Sequence, residues 1–286
     1  MAKKKKSKGK LPWHSAFYAG IQIEFENEAD KLTFENEHQL GTDPMRIDVL
    51  IIKKHSQERI QKNIGRIFRE YNIIEYKSPE QYLSIDSFYK VLGYACFYKS
   101  DVQFVDTIKV EGITISYVSK SYPRKLIQHL KSVRGYELIP QGQGIWYIEG
   151  GMFPMQLIVT SRLSKEDNFW LKNLTNDLKN KEEAEEVFRN YEKNSDSNLH
   201  KSVMDLVMRA NEMIFEEARG NMCDALREFF KEEMDTAVQE AVQETSIKVR
   251  LELIEKKIKK GKTIEEIADD LEESAETVQE LMKHIN

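Results

Sequence analysis

The chain has 286 residues, of which 40% are hydrophobic and 32% charged, with a formal net charge of −5. That apolar share can build a core and excludes a wholly disordered chain. No run approaches the ~20 apolar residues of a membrane-spanning helix, so the expectation is a cytoplasmic protein without a membrane partner.

The opening MAKKKKSKGK is basic but lacks the apolar segment of a signal peptide. Cys96 and Cys223 are the only cysteines. Two cysteines without histidines at ligand spacing make no zinc site, and both read as small buried hydrophobes in a reduced compartment. The charge is uneven. Residues 1–160 hold 23 Lys/Arg against 18 Asp/Glu, and residues 161–286 hold 20 against 30. The first half is the half a polyanion can approach, although six of its cations are the lysines before Leu11.

Residues 1–10 read as a flexible basic arm. Pro12 suits the first turn of a helix, which should run to about Glu26. At 3.6 residues per turn, Trp13, Phe17, Gly20 and Glu24 share one inward stripe, and Glu26 points away from it. LTFENEHQL alternates like a strand, GTDP is a turn, and RIDVLIIK reads as a buried strand. A turn centred on Thr42–Asp43 pairs positions whose numbers sum to 85, which sets Glu37 opposite Asp48 unless a bulge intervenes. A short helix is expected over 60–71. NIIEYK is the next strand, stopped by Ser78-Pro79. A helix follows from Ser84 or Asp86, with Phe88, Leu92 and Ala95 buried. ITISYVSKS reads as a strand and PRKLIQHLKSV as a helix. GIWYIEG and PMQLIVTSR read as two closing strands.

After Ser164 the pattern is helical. Leu171, Leu174 and Leu178 mark one apolar face, and Leu199, Val203, Leu206, Ala210 and Met213 mark another. A long charged helix is expected from about Met222 to Lys260. The expected fold class is α/β with a mixed sheet (α+β in arrangement), followed by an all-helical C-terminal region.

The chemistry lies in two strands. Asp48 sits in an otherwise apolar run. Glu75 sits mid-strand with Lys77 two residues on, so the two share a face while Tyr76 points away. Buried carboxylates are costly unless paired or bound to metal. Two acids beside a lysine suit a Mg²⁺ site for phosphodiester hydrolysis, with the lysine at the attacking water. The same residues also suit structural ion pairs, Asp48 and Glu75 with Lys77 or Arg46, in a sheet that binds nothing.

The hairpin strand with Asp48, the strand IIEYK and the first helix with Glu24 look like the PD-(D/E)XK nuclease superfamily, whose core runs αβββαβ as in restriction endonucleases. Within it, RIDVLIIKK, NIIEYKSP and FYKVLGYACFYK resemble the Rpn-like recombination-promoting nucleases, a transposase-like family. The resemblance covers roughly residues 12–120. It implies Asp48, Glu75 and Lys77 as catalytic residues, with Asp48, Glu75 and the helix glutamate Glu24 as metal ligands. It further implies the Tyr76 carbonyl completing the shell, Mg²⁺ (with Mn²⁺ as substitute) as cofactor, and DNA as substrate; Glu37, opposite Asp48 by register, reads either as a supporting residue or as an edge-strand charge. Arg46-Ile47 stands where the family has a proline before the aspartate. The implied organisation is an arm at 1–10, a nuclease-like domain at 11–163, a helical region at 164–260 and a helix-turn-helix-like end at 261–286.

That end holds eight acidic residues, with Lys262 and Lys283 as its permanent cations. Its charge argues against gripping DNA and for an interaction or homo-oligomer role. Three readings follow: a Mg²⁺-dependent DNA endonuclease, the same chemistry on RNA, and a non-catalytic scaffold working through its helical tail.

Overall fold

The computed structural model describes residues 11–36, 39–40, 45–46, 49–100, 104, 106–218, 254, 257, 262–271, 274 and 277. The chain divides into two compact units, Met1–Ala218 and Arg219–Asn286.

In the first unit, helix α1 (Trp13–Glu24) leads through a 3₁₀ turn into strand β1 (Leu32–Glu35). Then come the short pair β2 (Gln39–Leu40) and β3 (Met45–Arg46), β4 (Val49–Lys54), β5 (Tyr71–Lys77), helix α2 (Ile85–Ser100) and β6 (Ile113–Ser119). Helix α3 (Arg124–Arg134) precedes β7 (Glu137–Gly142), β8 (Ile145–Glu149) and β9 (Met155–Val159). Four helices end the unit: α4 (Phe169–Asn173), α5 (Lys181–Glu192), α6 (Asn198–Ala210) and α7 (Glu212–Ala218). The result is a mixed α/β fold on one seven-stranded sheet, in the order β1-β4-β5-β6-β9-β8-β7. Strands β5, β6 and β9 are parallel neighbours, and the other pairs in the sheet are antiparallel. β6 and β9 are buried along their whole length, as expected of parallel strands covered on both faces.

The sheet's two faces are packed by different helices. Phe17 of α1 stacks flat on Tyr76 of β5, ring centroids 4.2 Å apart. The other face buries Phe88, Val91 and Ala95 of α2 and Leu126, Ile127 and Leu130 of α3 in one core with Ile73, Ile115 and Tyr117. The stripe Trp13, Phe17, Gly20 and Glu24 is buried as expected, and so are Ala16, Ala19, Ile21 and Ile23. The buried arc is wide, leaving only His14 and Ser15 exposed and Tyr18 and Gln22 part-buried, so α1 needs cover beyond the sheet, and α4 and α6 supply it: Leu171 and Val203 reach Gly20. The first compact unit therefore continues past residue 163 to Ala218, because α1 requires the helices that follow.

Three expectations need correction. The helix over 60–71 is absent, and only the 3₁₀ turn Asn63–Gly65 forms there. Side chains take its amides instead. The Glu28 carboxylate accepts from the N–H groups of Gln61 and Lys62, and Asn72 Oδ1 accepts from Arg69 N–H. Strand β7 was not expected, because ELIPQG carries Pro140 and Gly142. It is the edge strand, where a missing N–H is tolerated. Gly144 turns it into β8 at φ 76°, and a Cβ there would lie 2.8 Å from Val159 O. Finally, Cys96 is exposed on α2 and Met213 on α7, where buried positions were expected. Cys223, the arm at 1–10 and most of the helix expected at 222–260 lie outside the described residues.

In the second unit, helix α8 spans Ile264–Leu271. Thr263 and Glu266 cap it reciprocally: Glu266 N–H donates to Thr263 Oγ1, and Thr263 N–H donates to a Glu266 carboxylate oxygen. Ile267 and Ala268 bury against Ile254. Thr277 is helical, and its N–H donates to Ser274 Oγ; the expected turn at 272–274 lies mostly outside the described residues. No described helix is long and apolar enough to cross a membrane.

Candidate active site at the end of strand β5

Strand β5 is rich in β-branched and aromatic residues and pairs on both sides, with β4 and β6. Its alternation sends Tyr76 to the α1 face, where Phe17 stacks on it. Glu75 and Lys77 go to the opposite face. Glu75 pairs across the sheet with Val49 and Tyr117, and Lys77 with Ser119. The expected juxtaposition of acid and lysine is present: Lys77 Nζ lies 2.6 Å from Glu75 Oε1. The Glu75 side chain is 7% exposed and that of Lys77 21%, so the carboxylate is recessed and the ammonium opens toward solvent.

The neighbours are aromatic and largely dry. Tyr117 donates its hydroxyl to Phe88 O at 3.2 Å. Burial, with the nearby Glu75 charge adding to it, raises the Tyr117 phenol well above its ordinary range. Tyr76 is likewise raised by burial. Its hydroxyl has no hydrogen-bond partner among the described residues. Neither phenol is a proton donor or acceptor at neutral pH. The charge chemistry of this strand end belongs to Glu75 and Lys77.

Glu24, expected among the metal ligands, is engaged elsewhere. It lies on α1, the helix packed on the Tyr76 face, and its Oε1 accepts from the N–H groups of Trp170 and Leu171, each at 3.0 Å. Its other oxygen sits 2.6 Å from Lys62 Nζ. Burial pushes this carboxyl above its ordinary range, while Lys62 and the two amides pull against that rise. Glu24 therefore ties α1 to the start of α4 and to the 60s loop. Lys62, its partner, was not singled out by sequence, because the contact joins segments 38 residues apart with no local signal.

Asp48 and Glu37 lie outside the described residues. The described pairs of the two flanking ladders differ by one in register. Gln39↔Arg46 and Leu40↔Met45 sum to the expected 85, whereas Leu32↔Lys54 through Glu35↔Ile51 sum to 86.

Among the described residues, no three His, Cys, Asp or Glu side chains converge on a metal-sized point. Mg²⁺ does not require three, since one or two carboxylates with waters and phosphate oxygens suffice. Glu75 is the one described carboxylate at this strand end that fits the role. No family model, curated protein or solved structure matches the chain.

Proposed function

We propose that this protein is a Mg²⁺-dependent nuclease that hydrolyses phosphodiester bonds in DNA, with Asp48 and Glu75 as metal ligands and Lys77 at the attacking water. One observation carries the reading: a recessed carboxylate and a half-open ammonium, 2.6 Å apart, on one face at the end of a central strand. The order α1, β1, β4, β5, α2, β6 supports a restriction-endonuclease-like αβββαβ core of the PD-(D/E)XK type, as the resemblance to Rpn-like nucleases implies. That resemblance places the activity in recombination, transposition or phage defence.

Mg²⁺, when bound, supplies positive charge at the scissile phosphate. The chain's own groups do the rest. Glu75 and Asp48 would hold the ion against the sheet. Lys77 donates hydrogen bonds that orient a water for in-line attack and stabilise the charge that develops on it. The apolar floor of Tyr117 and Phe88 limits competing solvent and strengthens these electrostatic contacts. Glu24 has no part in this site.

The second reading is a nuclease-fold scaffold that acts through its C-terminal helices. It takes Glu75–Lys77 as a structural ion pair, a role that the 2.6 Å contact satisfies equally. The two readings separate in a digestion assay. Supercoiled plasmid and a structured RNA are each incubated with Mg²⁺ and with wild type, Asp48→Ala or Lys77→Ala. Cleavage by wild type alone supports the enzyme, and the polymer cut names the substrate. If wild type and both variants leave both polymers equally intact across a range of metals, the scaffold reading stands.

A further inference from the structure

A cleft of about 640 Å³ opens at the end of the sheet opposite Lys77, where β4 ends and β5 and β6 begin. It is lined by Lys54, Arg59, Arg66, Arg69 and Lys109, with Tyr147 of β8 on one wall. Five cations face two carboxylates, Glu70 and Glu111. Glu70 is turned against Gly112, its Oε2 lying 3.4 Å from where a Cβ would stand. The cleft is therefore net positive. None of the three arginines has an ion-pair partner among the described residues. Arg66 spends one donor, Nε, on Gln61 O, and Lys54 donates to the Ser56 and Glu58 carbonyls.

Three unneutralised guanidiniums in one cleft repel one another, and an anion relieves that repulsion. The planar guanidinium fork matches the oxygens of a phosphate, which it holds with paired charge-assisted hydrogen bonds. Tyr147 lines the same cleft as the three arginines: burial raises its phenol, and Arg59, Arg66 and Arg69 pull that rise back. A half-buried tyrosine beside a cluster of cations provides a stacking surface for a base next to a grip for its phosphate. The volume lies within the range of small-ligand sites.

We propose that this cleft binds a nucleotide unit, with phosphate on Arg59, Arg66 and Arg69 and base on Tyr147. The unit is either a free nucleotide or one residue of a single strand. The site is separate from Glu75–Lys77, five residues away along β5 or about 16 Å at the rise of a strand. It does not depend on the hydrolytic reading, and it holds whether or not the protein cuts.

The test is binding by the full-length protein in EDTA at low salt, with ATP in one arm and a fluorescent 15-residue oligo-dT in the other. The expected result is saturable binding of at least one probe. Arg59→Ala/Arg66→Ala/Arg69→Ala should weaken it at least about tenfold, with a shallower dependence on salt. Tyr147→Ala should weaken it too, and Lys131→Ala, at an exposed lysine of α3 away from the cleft, should leave it unchanged. The arm that binds names the source of the nucleotide. If the triple variant fails to fold, Arg59→Ala carries the test, since its side chain makes no ion pair among the described residues. Failure of wild type to bind either probe at 1 mM overturns the proposal. So does binding by the arginine variants as tight as wild type, or loss of binding in Lys131→Ala.

Discussion

Lys77 holds its ammonium 2.6 Å from Glu75 Oε1, two residues back along the same face of β5. A pair this recessed differs from an exposed ion pair, whose worth is at most about 1 kcal/mol. Here the carboxylate is nearly closed off from water, and removing the lysine leaves it without compensation. For the hydrolytic reading, Glu75→Gln and Lys77→Ala should each lower plasmid cleavage about a hundredfold or more, the scale set by losing a general base or a charge-stabilising donor. Lys77→Arg should recover only part of the loss. Initial rates of plasmid nicking at saturating Mg²⁺ check this, alongside circular dichroism to show that each variant is folded.

Glu24 predicts the opposite pattern. Its carboxylate serves two amides of α4 and Lys62 at once. Glu24→Ala strands the two buried amides and leaves Lys62 only its contact with Asp167 O, and should cost roughly 3 kcal/mol. Urea denaturation measures that loss. Below the melting transition, the specific activity of the folded variant should match wild type.

Two glycines should respond in opposite directions to alanine. At Gly65 an added Cβ would meet the Phe25 ring at 2.5 Å and Ile60 at 2.7 Å. Gly65→Ala should therefore destabilise by about 1–3 kcal/mol through overpacking. At Gly93, on the exposed side of α2, a Cβ meets nothing within 4 Å. Gly93→Ala should stabilise by about 0.5–1 kcal/mol by removing backbone freedom from the unfolded chain. Paired denaturation curves decide both.

His200 makes the first unit sensitive to acid. Its ring lies edge-on to Trp170, centroids 5.0 Å apart, and its Nδ1 has no hydrogen-bond partner among the described residues. Burial holds the imidazole below its ordinary pKa of 6.5, against a smaller opposing pull from Glu26. The folded state thus prefers the neutral ring. The contribution is fully present above about pH 6.5 and is lost as pH falls from there through the lower folded value. The melting temperature should drop on acidification from pH 7 to pH 5, and the drop should be shallower in His200→Phe.

How much of this was legible in the sequence depended on the range of the interactions. The α1 stripe and strand β5 follow from periodicity, and with them the shared face of Glu75 and Lys77. Two pairs of the hairpin, Gln39↔Arg46 and Leu40↔Met45, follow from turn chemistry. The rest needed distant partners. Nothing near 60–71 announces that Glu28 and Asn72 will take its amides in place of a helix. Glu24 was expected as a ligand from the resemblance, and its stripe does point inward, but the sequence does not show that α4 lies there. Arg59, Arg66 and Arg69 lie within eleven residues, but nothing in their spacing singles them out. That they share a cleft with Tyr147, nearly eighty residues later, is set by the sheet.

The claim that carries the account is that the carboxylates of Asp48 and Glu75 grip one divalent ion. Mn²⁺ titrated into the full-length protein, followed by loss of its free paramagnetic resonance signal, tests it most directly. One tight equivalent should bind, be displaced by Mg²⁺, vanish in Glu75→Gln and Asp48→Asn, and persist in Glu24→Gln. No binding by wild type, or equal binding by wild type and both of those first variants, contradicts it.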